Sequence, residues 1–329
     1  MIRVSKAHLV EIAVAALVFL LASAGAGVYL ERYAGTPFHD YNNPDGRYFL
    51  PAAMWAAGHG FGCPYPQPYP APGLEDFLYK RTLSWDPATL PAGVEMRPVT
   101  GKFMVDRLYL LYFVAAAWRV FGLSWHALTV AMALVFGLTA ALVYGIFRIG
   151  ANRVASVAGT VLFSTSPLVL FYLPSMRDFF RGPPILAAML ICGVLIARKP
   201  TLRGYLGLSA LLGLIIGVGF GFRQDALICL PPAFATLAVF ARGRDPIRWR
   251  YRFLAVLFLF GAFLIPAAPS LKMTRDTGGN NSFYLLQGFS DFSLNDLQTK
   301  PASYVPFYSH SDYVVHAEIC AFDNIAHEE

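Results

Sequence analysis

An all-α integral membrane protein, with about seven transmembrane helices and one or two interfacial amphipathic helices in a long first outer loop, is the fold class this sequence predicts. Three observations predict it. Of 329 residues, 56% are hydrophobic and 14% charged, whereas soluble domains carry about a quarter charged residues. Uncharged apolar runs recur along the chain at the length a bilayer demands. Positive charge gathers in alternate loops between those runs, as it does in loops retained on the cytoplasmic side. Those loops account for the net charge of +6. No Lys/Arg stripe lies on a soluble segment, which argues against nucleic acid as a partner.

The runs cover residues 12–30, 124–147, 154–176, 182–197, 204–222, 226–241 and 253–271. A hydrocarbon core of ~30 Å takes roughly 20 helical residues. Within lipid only a helix, or a closed barrel, satisfies its own backbone donors and acceptors. Five runs reach about that length, while 182–197 and 226–241 are each near 16 residues and need flanking arginines that snorkel. The first run follows Arg3 and Lys6 and contains Ala22-Ser23-Ala24, features shared with secretory signals. Its apolar length of about 19 residues exceeds that of a signal core. It reads as an uncleaved span.

Residues 108–118 decide the topology. About 11 apolar residues between Arg107 and Arg119 are too few to cross, and they read as an interfacial or re-entrant helix. With the N-terminus cytoplasmic, Arg148, Arg153, Arg198, Lys199, Arg203, Arg242, Arg244, Arg248, Arg250 and Arg252 then all face the cytoplasm. Were the segment to span, those charges would face outward and invert the rule. The resulting plan is a transmembrane module over 1–271, including the outer loop 31–123, and a polar extracytoplasmic segment over 272–329.

Acidic residues collect on the outer side of this plan, and charge near a membrane is costly enough to need a reason. Asp40 and Asp45 lie in the first outer loop, and Asp45 opens an amphipathic stretch to Gly58 in which Tyr48, Phe49, Ala52 and Ala56 recur at helical spacing. A plain turn with Asn43 and Pro44 also accounts for Asp45. Asp178 sits beside Arg177 in a hairpin ahead of Pro183-Pro184, and Asp225 follows Arg223 in a second hairpin. A solvated ion pair with the neighbouring arginine is the simpler account of each. Lys102 precedes the short 108–118 helix, where a cation can meet an anionic headgroup. No CxxC or Cys/His ligand spacing exists, and His310, Asp312 and His316 have no fixed geometry, so no metal ligand set is expected. No cofactor is implied, and a divalent cation stays open. Cys63 and Cys320 both fall outside, where an oxidising compartment would permit a disulfide.

The layout resembles the GT-C superfamily of membrane glycosyltransferases, especially the aminoarabinose transferases of lipid A and the protein O-mannosyltransferases. The residues that carry it are Asp45-Gly-Arg-Tyr48 through Ala57-Gly58, Lys102 through Phe121-Gly122, Arg177-Asp178, and Gly221-Phe-Arg-Gln-Asp-Ala-Leu227. Many relatives carry a second acidic residue where Gly46 stands here, and most continue with further spans. The resemblance therefore implies a member shortened after its N-terminal module. It implies a polyprenyl-phosphate-linked sugar donor, a glycan, lipid or protein acceptor, and a periplasmic active face on a bacterial inner membrane. Asp45 would be the catalytic base and Asp178 a second catalytic carboxylate. Asp40, Lys102, Arg177, Arg223 and Asp225 would bind substrate.

A hydroxyl has a pKa far above neutral, so a positioned carboxylate must take its proton during attack on the anomeric carbon. The alternative is a non-catalytic membrane protein: a transporter, a lipid carrier or an inactive or truncated glycosyltransferase-like chain. Transporters place ionisable groups near the bilayer midplane, whereas the spans here hold almost none. That distribution favours a surface cleft over a conduction path. A label at Ser309 should react from outside intact cells and one at Arg244 should not; the reverse pattern removes the shared outer compartment.

Overall fold

Among the described residues five helices are long and apolar enough to cross a membrane: Leu9–Arg32, Ala127–Gly150, Met176–Ala197, Leu202–Phe222 and Trp249–Asp276. The computed structural model describes residues 6–32, 46–65, 71–79, 82–99, 102–198, 200–241 and 248–277. In chain order the helices are α1 (Lys6–Arg32), α2 (Leu50–Ala56), α3 (Leu74–Leu78), α4 (Lys102–Val105), α5 (Leu108–Phe121), α6 (Ala127–Gly150), α7 (Arg153–Ser164), α8 (Pro167–Tyr172), α9 (Met176–Phe179), α10 (Gly182–Ala197), α11 (Leu202–Phe222), α12 (Leu230–Ala235) and α13 (Trp249–Thr277). One antiparallel ribbon joins β1 (Cys63–Tyr65) to β2 (Glu95–Arg97), with Pro64 opposite Met96. The chain is an all-α integral membrane protein.

The other two expected spans are present as broken passes. Residues 154–176 split because Ser166 precedes Pro167 and is extended (φ −61°, ψ 128°), as the residue before proline prefers. Residues 226–241 divide into a 3-10 turn over Gln224–Cys229, α12, and a π turn over Thr236–Phe240. Pro231 and Pro232 lack the N–H groups that would continue the α-ladder into the preceding turn.

Packing direction shows that both broken segments return across the bundle. Gly145 of α6 faces Leu190 of α10, and Gly193 of α10 faces Ile149 of α6, so α6 and α10 run parallel. Likewise Gly213 meets Leu259 and Gly217 meets Phe263 and Pro266, so α11 and α13 run parallel. The chain between each parallel pair must cross back. Seven passes result, five of them continuous helices.

The second irregular pass has its freed carbonyls answered, as a low-dielectric surrounding demands. Arg252 donates to the Leu237, Ala238 and Ala241 carbonyls at 3.1, 2.9 and 3.2 Å. The buried Tyr205 hydroxyl donates to the Leu237 oxygen at 2.8 Å. Helix starts are capped from the sequence: Asn152 Oδ1 accepts from Ala155 N–H at 2.9 Å, and Thr201 Oγ1 accepts from Gly204 N–H at 3.3 Å.

At one end of the bundle Glu11 of α1 accepts from Tyr144 at 2.8 Å and pairs with Arg148 and Arg153 at 3.0 and 2.8 Å. At the other, Glu31 lies 3.8 Å from His126, so α1 and α6 are antiparallel. Everything described between α1 and α6 stays at that second end. α2 and α5, the two expected surface helices, pack against each other there. Phe49, Phe77, Trp118 and Trp125 form an aromatic centre with ring separations of 5.4–6.4 Å. Its indoles are satisfied, Trp125 by the Phe77 carbonyl at 2.7 Å and Trp118 by the Ser124 carbonyl at 2.9 Å, as buried tryptophans require. Cys63 is half-buried in β1, and burial pushes its thiol pKa up; Cys320, its expected partner, lies outside the described residues.

The closest backbone approach is between α11 and α13, made possible by the Gly213-x-x-x-Gly217 spacing. A Cβ at Gly213 would overlap the Leu259 carbonyl oxygen, and one at Gly217 would overlap the Phe263 oxygen and lie 2.7 Å from Pro266 Cγ. Gly213→Leu should therefore force the helices apart and destabilise by at least the ~1–3 kcal/mol typical of overpacking. Thermal unfolding in detergent reads this, with Gly207→Leu, which meets open space, as the control. Equal melting of the two variants would contradict the assigned interface.

Candidate functional site

The charged residues of the 175–181 and 223–225 turns meet at one place. Ser175 leads into the short helix α9, and its hydroxyl donates to Asp178 Oδ2 at 3.2 Å, a local bond that fixes the turn. Pro183 and Pro184 start α10 directly afterwards, where a missing N–H leaves no partner unmet. At the other turn α11 stops at Phe222, and Arg223 leaves it in extended backbone (φ −165°, ψ 131°). Extended backbone sends successive side chains to opposite sides, so Arg223 and Gln224 serve different partners.

Arg223 is the hub. Its Nη1 donates to Asp178 Oδ1, and its Nε lies 2.9 Å from Asp225 Oδ2. Arg177 Nη2 stands 3.9 Å from Asp178 Oδ2, and Arg181 Nη1 stands 3.5 Å from Asp225 Oδ2. Among the described residues of this cluster three guanidiniums, those of Arg177, Arg181 and Arg223, thus face the carboxylates of Asp178 and Asp225. Exposure is graded: Arg177, Asp178 and Arg223 keep 22%, 19% and 21% of their side-chain surface, against 43% for Arg181 and 39% for Asp225. The inner members are sheltered from screening by salt, and the outer ones less so.

An aromatic floor lies beneath. Phe113 of α5 meets Phe180 edge-on at 4.6 Å, Phe180 stacks on Phe222 at 5.2 Å, and Tyr109 meets Phe222 at 6.1 Å. The Tyr109 ring occupies the space above Gly221, and its hydroxyl donates to the Pro266 carbonyl. This packing joins α5, the 173–181 turn, the end of α11 and the interior of α13. On the far side of Arg223, Gln224 Nε2 donates to Asp106 Oδ1 at 2.9 Å and to Thr274 Oγ1 at 3.3 Å. Asp106 is 2% exposed and Arg107, next to it, 4%; the Arg107 guanidinium lies 5.8 Å from the centre of the Tyr48 ring.

Four of the residues expected from sequence are therefore assembled: Asp178, Arg177, Arg223 and Asp225. The pairs of the simpler account are both present, Arg177 with Asp178 at 3.9 Å and Arg223 with Asp225 at 2.9 Å; what it lacks is the closer cation that Asp178 receives from the other hairpin, Arg223. Asp40 and Asp45 lie outside the described residues. Lys102 opens α4, which packs against α13, but its side chain is outside them too. Sequence reasoning missed Gln224, Thr274 and the structural use of Asp106 and Arg181. The one available signal was Gln224 standing between two candidates. Among the described residues no group of three or more His, Cys, Asp or Glu side chains converges. His310, Asp312 and His316 lie outside them.

Fold and site together define a polytopic membrane protein that gathers charge from two hairpins at one end of its bundle. Residues 108–269 match the family model of the dolichyl-phosphate-mannose-protein mannosyltransferases. Over that segment the chain is similar to the membrane mannosyltransferases of that family. No curated protein and no solved structure matches it. The matched segment contains the whole Arg177, Asp178, Arg181, Arg223 and Asp225 cluster, whereas Asp40, Asp45 and Lys102 precede it.

Double-mutant cycles should rank the two pairs of the hub. Arg223–Asp225, with its more exposed carboxylate, should couple by about 0.2–1 kcal/mol, the range of surface pairs. Arg223–Asp178 should couple more strongly. Equal or reversed couplings would show that Asp178 is not the principal partner.

Proposed function

We propose that this protein is a membrane glycosyltransferase that moves a sugar from a polyprenyl-phosphate donor to an acceptor hydroxyl on the extracytoplasmic side, with inversion. The family match over residues 108–269 supports the transferase class. The observation that carries the donor assignment is the gathering of the Arg177, Arg181 and Arg223 guanidiniums where two hairpins meet. A phosphate ester at a membrane surface needs such a counter-charge, and its prenyl tail needs the lipid beside it. The location that goes with this reading is a bacterial inner membrane with the active face periplasmic.

The step follows from balance of charge. The acceptor oxygen attacks the anomeric carbon while its proton passes to Asp45, the assigned base. The bond between that carbon and the phosphate oxygen breaks, and its electron pair leaves with the polyprenyl phosphate. Attack opposite the leaving group inverts the configuration, through an oxocarbenium-like transition state. Lys102, Arg177 and Arg223 offset the charge that develops on the phosphate. Asp178, fixed by Arg223 and Ser175, orients the sugar or the acceptor. Asp40 and Asp225 contribute to binding. The acceptor class is a glycan, lipid or protein hydroxyl.

A second reading, a non-catalytic lipid carrier, is favoured by one fact: both carboxylates of the cluster already have arginine partners. The two readings separate in proteoliposomes. Given a labelled polyprenyl-phosphate sugar and a hydroxyl acceptor, the wild type should transfer sugar. Asp45→Asn should cut the rate ~10²–10⁴-fold, and Arg223→Ala about 10²-fold. Donor binding without transfer by the wild type would establish the carrier. Transfer undiminished in Asp45→Asn would remove that residue as the base.

A further inference from the structure

The three consecutive residues Arg223-Gln224-Asp225 reach three other parts of the fold. Arg223 and Asp225 enter the charged cluster formed with the 175–181 hairpin. Gln224 turns the other way, to Asp106 between α4 and α5, and to Thr274 near the end of α13. Its Nε2 donates to Asp106 Oδ1 at 2.9 Å and to Thr274 Oγ1 at 3.3 Å, one N–H to each. A glutamate at this position would set carboxylate against carboxylate in a place where Asp106 is 2% exposed, and like charges there are poorly screened.

We propose that Gln224 is a positioning residue: by holding buried Asp106 and Thr274, it sets where Arg223 and Asp225 stand relative to the α4–α5 layer that begins at Lys102. The inference rests on reading the arginine cluster as the donor's phosphate site, and it says how that site is kept in register with the rest of the outer face. Tyr109 supports the same alignment. It stands three residues after Asp106; its ring lies against Gly221 near the end of α11, and its hydroxyl donates to the Pro266 carbonyl inside α13. Two separate contacts thus tie one short stretch of α5 to the turn that carries Arg223.

The test exchanges donor and acceptor. Gln224→Glu should lower sugar transfer about ten- to hundredfold, the effect of losing a hydrogen bond to a charged group. Gln224→Glu combined with Asp106→Asn should restore it to within a few-fold, because the amide introduced at position 106 then donates to the carboxylate introduced at position 224. Gln224→Met, of similar length and without a donor, should reproduce the loss in case the glutamate variant folds poorly. Hydrogen exchange over residues 223–229 supplies a readout that does not need activity: faster in Gln224→Glu and in Gln224→Met, and slowed again in the double variant. If the wild type transfers no sugar, the donor assignment fails while the exchange data still judge the register. Wild-type exchange and transfer in both single variants, or loss in both without recovery in the double variant, would overturn the proposal.

Discussion

A helix of 14 residues rises about 21 Å, well short of the ~30 Å of hydrocarbon in a bilayer, and α5 is 14 residues long. That single shortfall sets the parity of every later pass. Because α5 stays at the end where α1 finishes and α6 begins, the 173–181 and 223–225 turns and the end of α13 are all delivered to that same end. Residues distant in sequence, such as Asp106, Asp178, Gln224 and Thr274, can then touch. The opposite end receives Arg148, Arg153 and Arg252, in keeping with the distribution of positive charge that governs insertion. With one crossing more, Asp106 would be separated by the membrane from the Gln224 amide that it binds.

Within that frame Arg223 has a geometric role. A planar guanidinium carries its donors in a fixed fork, so one side chain can engage two carboxylates at once. Lysine offers only a compact charge on a flexible stem and would not hold the same angle. Ion pairs with a fifth or more of their surface exposed stabilise the fold by little each. Their value here is positional: the Arg223–Asp178 and Arg181–Asp225 pairs bind two hairpins separated by two passes. The aromatic floor of Phe113, Phe180 and Phe222 keeps water from beneath them, which strengthens the field at the cluster.

The number and order of passes were legible in the sequence because apolar length is a one-dimensional quantity. Uninterrupted helicity was not, since 154–176 and 226–241 are apolar throughout yet break at Ser166-Pro167 and Pro231-Pro232. Proline within an apolar run signals this, but a run of the right length hides it when only hydropathy is counted. The candidate residues Arg177, Asp178, Arg223 and Asp225 were legible as outer charges. Their partners were not, because pairing depends on which hairpins lie side by side. The assembly of Gln224 with Asp106 and Thr274 was illegible for the same reason, compounded by the ordinary appearance of an uncharged amide. The buried centre of Phe49, Phe77, Trp118 and Trp125 shows a related limit: aromatic residues in a loop give no hint of which will meet.

The glycine contact between α11 and α13 has a mechanical consequence. Where two backbones touch at Gly213 and Gly217, no layer of side chains lies between them to slide or repack, so the two helices form a stiff spine. Compliance must reside elsewhere. The passes around Ser166 and from Gln224 to Phe240 already lack a regular hydrogen-bond ladder, and bending them breaks little that is not broken already. Any change in the shape of the bundle will therefore be taken up by those two interrupted segments, while the spine keeps its shape.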